Sequence, residues 1–479
     1  MRRTRRWDLV VIGAGAAGIV AAKTAATFGA SVLLVDEREP GGDCLWTGCV
    51  PSKALLAAAA AAANARSATA LGVHCGDVRV DFTEVMAHVH RSIDRVAPKD
   101  SRPSLEAEGV TVRLGLACFT GTSTMDVSGQ TIRFRRAVLA TGASPVLPGI
   151  AGLGDVAALT SDTVWQLTAL PARLVVLGGG SIGCELGQAF ARLGSQVTLI
   201  DAAARLMPLE DRAAAEILTT ALRADGVQVL TGKDVTRVER AEGARGTVVT
   251  ASGARLDFDE LLLAVGRRPN THSVGVRDAG IELDPGGFVR VDAHLRTTNP
   301  RVWAAGDLTG HPQFTHTAGV HGSIAASNAL LGVRRRADTA LTPRVTFTSP
   351  EVAAVGVSPD SARSDPRLRV LSWPHTDLDR AVTEDDTRGH TELVVDDKGR
   401  VLGATIVGPR AGESLAEVVL AARLGLRTRV VASTTHAYPT YSDGVWNTSI
   451  ADVQQRFATP VARLVTAVLL RVRRLGALR

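Results

Sequence analysis

Val10-Val11-Ile12-Gly13-Ala14-Gly15-Ala16-Ala17-Gly18 is an apolar run that breaks into three spaced glycines, and the chain repeats it as Val175-Val176-Leu177-Gly178-Gly179-Gly180-Ser181-Ile182-Gly183. Each copy predicts a buried strand turning directly into a helix. The repeat extends past the glycines. Gly29 answers to Gly194 and Asp36 to Asp201, and every pair is displaced by the same 165 residues (178 − 13, 201 − 36). Chemistry explains the spacing: the first glycine makes the tight turn, the second admits a pyrophosphate to the backbone, and the third packs helix on strand. The helix N-terminus then faces the anion, and the acid about 20 residues on meets a ribose hydroxyl. Two copies in register predict two bound adenine dinucleotides.

Composition agrees with an α/β architecture. The 479 residues exceed what one core supports and suit about three domains. Glycine is abundant at 47 residues, whereas Phe, Trp and Tyr total 10 + 6 + 2 = 18. The net charge of +6 gathers at the ends, in Arg2, Arg3, Arg5 and Arg6 and in Arg471, Arg473, Arg474 and Arg479. No helix-turn-helix, zinc-finger or RNA-binding pattern accompanies it, so no nucleic-acid partner is expected. No hydrophobic run precedes the strand at Leu9, and no apolar run approaches the ~20 residues of a membrane span. Five cysteines without a disulfide framework fit a reducing compartment, and the expected location is cytoplasmic.

The first cradle is followed by Gly41-Gly42-Asp43-Cys44-Leu45-Trp46-Thr47-Gly48-Cys49-Val50-Pro51-Ser52-Lys53. Two cysteines five positions apart beyond a dinucleotide fold suit a disulfide that opens and closes against a bound ring system. A zinc site would need further ligands, and no metal ligands are read here. Cys75, Cys118 and Cys184 read as small buried hydrophobes, and Ala57 to Ala63 as the continuation of a helix beyond Lys53.

With Ala140-Thr141-Gly142, Gly266-Arg267-Arg268-Pro269-Asn270, Ala305-Gly306-Asp307, Thr348-Ser349-Pro350-Glu351 and Gly403-Ala404, this segment resembles the flavin-dependent pyridine-nucleotide disulfide oxidoreductases. That family includes glutathione reductase, lipoamide dehydrogenase and mercuric reductase. The resemblance covers about residues 7 to 450. It implies two Rossmann-like dinucleotide-binding domains and an α+β C-terminal dimerisation domain. FAD would be held by 1–156 with 273–341, the nicotinamide cofactor by 157–272, and a homodimer interface would be built by 342–452. On the same resemblance, Gly13, Gly15, Gly18, Asp36, Gly42, Lys53, Thr141, Gly142, Gly306 and Asp307 bind FAD. Gly178, Gly180, Gly183, Asp201 and Gly266 bind NADH or NADPH. Cys49 is the thiol against the flavin, Cys44 the outer thiol that meets substrate, and Lys53 pairs with Glu185. Asp201 followed by Ala202, Ala203 and Ala204 favours NADH, since an acid bonds ribose hydroxyls and repels a 2′-phosphate, with Arg205 as the competing cation.

The pattern departs at Tyr438-Pro439-Thr440-Tyr441-Ser442-Asp443, where glutathione reductase and lipoamide dehydrogenase carry His-Pro-Thr-x-x-Glu. Tyr438 and Asp443 take the places of the acid-base histidine and its glutamate. A phenol titrating near 10 accepts protons poorly at neutral pH. Mercuric reductases resemble the chain in this tyrosine, but they usually add a C-terminal cysteine pair and a metal-capturing N-terminal domain. Here no cysteine follows Cys184. His436 is a second candidate base, or an interface histidine. The expected activity is reduction of a small acceptor, whether disulfide, metal ion or quinone, with lipoamide dehydrogenase and a non-catalytic NADH-binding redox sensor or scaffold as alternatives. In the tail, Pro460 to Leu475 reads as a helix with Val461, Leu464, Val465, Val468, Leu469 and Val472 on one side and arginines around them. It predicts either a packing helix or one that makes peripheral contact with an anionic membrane.

Overall fold

The structure, a computed structural model, describes residues 6–241 and 245–476, so that Arg2, Arg3, Arg5 and Arg479 lie outside the described residues. The chain forms two compact units. One comprises residues up to Arg205 together with Asp225–Thr339, the other Leu206–Ala224 and the chain from Ala340 onward.

In the first unit the strand Arg6–Ile12 is flanked by Val32–Asp36 and Gln130–Leu139, all parallel, and Val32–Asp36 pairs in turn with Val110–Leu114. Leu9, Val10 and Val11 are wholly buried although successive side chains point to opposite faces, which is why these strands read as continuous apolar runs. The helix Ala16–Thr27 covers one face and lies against the helix Thr315–Leu331. Small residues permit that approach: a Cβ on Gly322 would sit 2.2 Å from the Ala17 carbonyl oxygen.

The second cradle is built the same way. Arg173–Leu177 is central, paired in parallel with Gln196–Asp201 and Glu260–Leu263, and the helix Ser181–Leu193 follows it. The chain enters and leaves this layer side by side, because Ala143–Pro145 and Arg267–Pro269 form an antiparallel pair. Thr141 Oγ1 donates to the Asn270 carbonyl at 2.6 Å and Ser144 Oγ to Asn270 Oδ1 at 2.8 Å.

The second unit centres on a five-stranded antiparallel sheet whose middle strands are Glu351–Gly356 and Val401–Gly408. The helix Ala411–Arg423 packs against both. The α/β nucleotide layers and the α+β C-terminal unit are the fold class expected from the sequence. One segment is grouped differently. Leu206–Ala224, expected within the second nucleotide domain, belongs to the C-terminal unit. Charge holds it there: Glu210 accepts from Arg344 at 2.9 Å and buried Asp211 from Arg363 at 3.2 Å. The tail forms the expected helix, Pro460–Gly476.

Among the described residues, the helical stretch Gly42–Leu71 is long and apolar enough to cross a membrane by length and composition. The stretch carries Lys53, ion-paired to Glu185, and packs against the helices Phe82–Val96 and Ser181–Leu193.

Candidate active site

The two cradles share more than sequence. Asp36 accepts hydrogen bonds from the Ala14 amide at 2.6 Å and the Arg38 amide at 2.9 Å. Asp201 accepts from Gly179 at 2.5 Å and Ala203 at 2.7 Å, the same two positions displaced by 165. Each carboxylate thus ties its strand end to its glycine turn. Gly13 and Gly178 have φ of +101° and +109°, and a Cβ on either would strike a carbonyl oxygen, of Ala140 or Ala264, at 2.3 Å. A Cβ on Gly18 or Gly183 would meet the first glycine's oxygen at 1.8 or 1.9 Å. The middle glycines differ. Gly15 has nothing nearer than Gly42 Cα at 3.8 Å, and Gly180 nothing within 4 Å. Their lack of a side chain answers to no protein atom, which fits a pyrophosphate lying there.

The cysteine segment is fastened to the first cradle. Gly42 approaches Gly15 so closely that a Cβ would come within 2.5 Å of its Cα. Cys44 lies in the short helix Gly42–Trp46, and Cys49 is the first residue of Cys49–Ser67. Trp165 Nε1 donates to the Thr47 carbonyl at 2.8 Å, fixing the turn between them. Both cysteines are free and partly buried. The thiols share a hydrogen bond, and Cys49 Sγ also lies 3.2 Å from Thr315 Oγ1. That sharing separates their acidities. The hydrogen bond from Cys44 brings Cys49 down to about 6, with Thr315 and the Lys53 charge acting in the same direction against burial. Cys44 is pushed far up by giving that bond and by its own burial. A helix N-terminus further favours thiolate at Cys49.

Lys53, one turn along the same helix, donates to Glu185 Oε2 at 2.9 Å, and Glu185 is buried in the second cradle's helix. Asp307 follows Gly306, whose φ is +87°. Burial raises Asp307 while Arg267, 3.9 Å away, opposes the rise. Arg267 also donates to Asp43, next to Cys44, and to the Ala143 carbonyl. Gly142 and Gly266 both have positive φ, and a Cβ on either would meet open space. Thr141 directs its hydroxyl to the Asn270 carbonyl. Among the described residues of the first unit, buried Thr47 Oγ1, Thr317 Oγ1 and the Nδ1 atoms of His311 and His321 have no protein partner. Thr47 stands just before Cys49 and His311 just after Asp307, while Thr317 and His321 lie in the helix that begins at Thr315. Such orphans are costly unless a ligand answers them, and a flavin with its carbonyl and ring nitrogen atoms fits.

Thr315, Asp43, Arg267 and Trp165 carried no assigned role in the sequence. Arg267 stood in a quoted motif and Asp43 beside Cys44, which were the available signals. In the C-terminal unit, Tyr438 is 67% exposed and donates to Asp379 Oδ2 at 2.5 Å. That bond raises its phenol above the usual value. Asp443 is buried and accepts from the Thr440 amide at 2.9 Å. Tyr438 and Asp443 therefore do not form the hydrogen-bonded pair that their positions imitate. His436 Nε2 lies 2.9 Å from Glu417 Oε1 and its ring stacks on Trp446.

Residues 7–322 match the family described as pyridine nucleotide-disulphide oxidoreductase, and residues 342–449 match its dimerisation domain. The chain belongs to this family. Its relatives include the mercuric reductase of Streptomyces lividans, 35% identical with 96% of this chain and 98% of that one covered. The dihydrolipoyl dehydrogenase of Chlamydia muridarum is 33% identical, with 92% and 95% covered. Among solved structures, the Cu(II) complex of the HOCl-induced flavoprotein disulfide reductase RclA from Escherichia coli is 30% identical, with a TM-score of 0.83 over 92% of this chain and 98% of that one. LpdA from Mycobacterium tuberculosis is 28% identical, with a TM-score of 0.85 over 92% and 99%. As a pyridine nucleotide-disulphide oxidoreductase the chain is an FAD-dependent enzyme that uses NAD(P)H, and its dimerisation domain points to a homodimer.

Proposed function

We propose that this oxidoreductase carries two electrons from NADH, by way of FAD, to the Cys44–Cys49 disulfide, and from the dithiol to a small disulfide, metal ion or quinone. The observation that carries the reading is Cys49 at a helix N-terminus beside the first cradle, hydrogen-bonded to Cys44 and lowered in pKa. Electrons balance: NADH and one proton reduce the disulfide to two thiols and leave NAD+. FAD held by Gly13, Gly15, Gly18, Asp36, Gly42, Thr141, Gly142, Gly306 and Asp307 supplies the two-electron chemistry that side chains lack. The chain's own part is to keep the proton on Cys44 and leave Cys49 anionic, with Lys53 balancing both Cys49 and buried Glu185. Gly178, Gly180, Gly183, Asp201 and Gly266 take the nicotinamide cofactor, within a 157–272 domain between two stretches of the FAD domain, 1–156 and 273–341. Residues 342–452 make the homodimer.

Asp201 without a cation at Ala202, Ala203 or Ala204 supports NADH over NADPH. Tyr438, held as a donor by Asp379, speaks against lipoamide dehydrogenase and for an acceptor that needs no imidazole. The mercuric reductase relatives and the Cu(II) complex of RclA favour a metal ion or its complex among the acceptors. A cytoplasmic location with peripheral membrane contact through the tail completes the reading. Anaerobic titration with NADH tests it: about four electrons per subunit, two on flavin and two on the disulfide, are expected. Uptake of about two would reduce the protein to a simple flavoprotein or sensor, and an acceptor screen then ranks the substrates.

A further inference from the structure

Asp452 is the last acidic side chain in the sequence. Residues 453–479 hold six arginines and no acid, so their +6 equals the formal charge of the whole protein and residues 1–452 sum to zero. Within this segment the helix Pro460–Gly476 keeps its apolar side chains, from Val461 to Leu475, 52–73% exposed. At 100° per residue, Val461, Leu464, Val465, Val468, Leu469 and Val472, with Leu475, fall within an arc of about 140°. Arg463 and Arg474 lie on the opposite side with Leu470 beside them, and Arg471 and Arg473 flank the two edges of the arc. None of these four arginines makes an ion pair among the described residues.

We propose that this helix lies along an anionic membrane surface, its apolar arc in the acyl boundary and its arginines among lipid phosphates. At 17 residues it is about 25 Å long, shorter than the ~30 Å hydrocarbon layer. Its length and four arginines therefore make it lie on the membrane instead of spanning it. Charge decides the occupant. A second copy of the helix would cover the apolar arc and bring arginines that no acidic side chain of either tail can answer. An anionic surface satisfies both faces together. The inference rests on the reading of the chain as an acceptor-reducing enzyme only for its purpose, which is to bring the site near a membrane-dissolved acceptor such as a quinone.

The test is co-sedimentation of the full-length holoenzyme with phosphatidylcholine vesicles with and without phosphatidylglycerol. Binding is expected to require phosphatidylglycerol, to fall with added salt, and to be lost when the chain ends at Phe457. Replacing Arg463, Arg473 and Arg474 by Gln in the full chain is expected to weaken binding roughly fivefold per arginine. Reduction of a water-soluble acceptor, followed in parallel, is expected to be unchanged in both variants. No binding by the full-length enzyme, or equal binding by the shortened one, overturns the proposal. Truncation that splits the dimer shows a second copy to be the occupant, and vesicle-independent capture of an acidic protein names a different one. Intact vesicle binding with no turnover of any acceptor would instead sink the functional reading and leave the lipid contact standing.

Discussion

Cys44 and Cys49 share one proton unequally, and the largest cause of the inequality is the hydrogen bond between them. In the reduced enzyme, thiolate absorbance is expected to appear with a midpoint near pH 6. Cys44→Ala removes the donor and is expected to raise that midpoint by about one unit or more. A midpoint that stays put would assign the acidity to the helix terminus and Lys53. On the proposed reading, in which Cys44 is the exchange thiol, Cys44→Ser is expected to abolish reduction of disulfides and metal ions while FAD stays bound, because it removes the nucleophile and leaves the glycine cradle intact. Full turnover with every acceptor would remove the dithiol from the reaction. At Tyr438 the bond to Asp379 keeps the phenol a donor. Tyr438→His is expected to raise turnover of small disulfides severalfold, since imidazole returns protons at neutral pH. Steady-state rates with a small disulfide and with a quinone check this, and equal gains on both would locate the limit elsewhere.

Glycines of one turn divide by what stands beside them. Gly183→Ala drives a Cβ into the Gly178 carbonyl oxygen at 1.9 Å and is expected to unfold the second cradle. Gly180→Ala meets no protein atom within 4 Å. It is expected to fold normally, as circular dichroism and flavin content would show, and to lose most of its affinity for NADH. Normal NADH binding by Gly180→Ala would displace the pyrophosphate from this turn. In the C-terminal unit, His375 is wedged against the strand Val401–Gly408, where a Cβ on Gly408 would meet the ring at 2.6 Å. Burial, with His390 adding to it and Asp386 opposing, lowers His375 to about 4 from 6.5. The unfolded chain therefore takes this proton first. Stability is whole above pH 6.5 and declines as the pH falls toward 4, by about 3 kcal/mol in all. Urea midpoints measured near pH 7 and near pH 5 should show this loss in the wild type and less of it in His375→Gln. Equal losses would place the titration in other groups.

Across the molecule, what was legible in the sequence is what repeats or alternates locally. The two cradles, the cysteine segment and the tail helix each lie within a stretch whose spacing states its geometry. What escaped was assembled by tertiary contact. Thr315 reaches Cys49 across 266 residues, Arg267 reaches Asp43 across 224, and Asp379 reaches Tyr438 across 59. No local period marks such partners. The ties of Leu206–Ala224 to Arg344 and Arg363 are of the same long-range kind. The carboxylate-to-turn bonds of Asp36 and Asp201, repeated at identical displacement, carry a consequence for how the protein tells its two cofactors apart. Two moulds cast from one pattern hold no memory of which guest is theirs. Selection must come from the surroundings: the cysteine loop pressed on Gly15 in one case, the open floor at Gly180 in the other. Exchanging residues 13–18 with 178–183 is therefore expected to leave FAD and NADH in their own chambers, and a transplant that carried the preference with it would return the choice to the glycines.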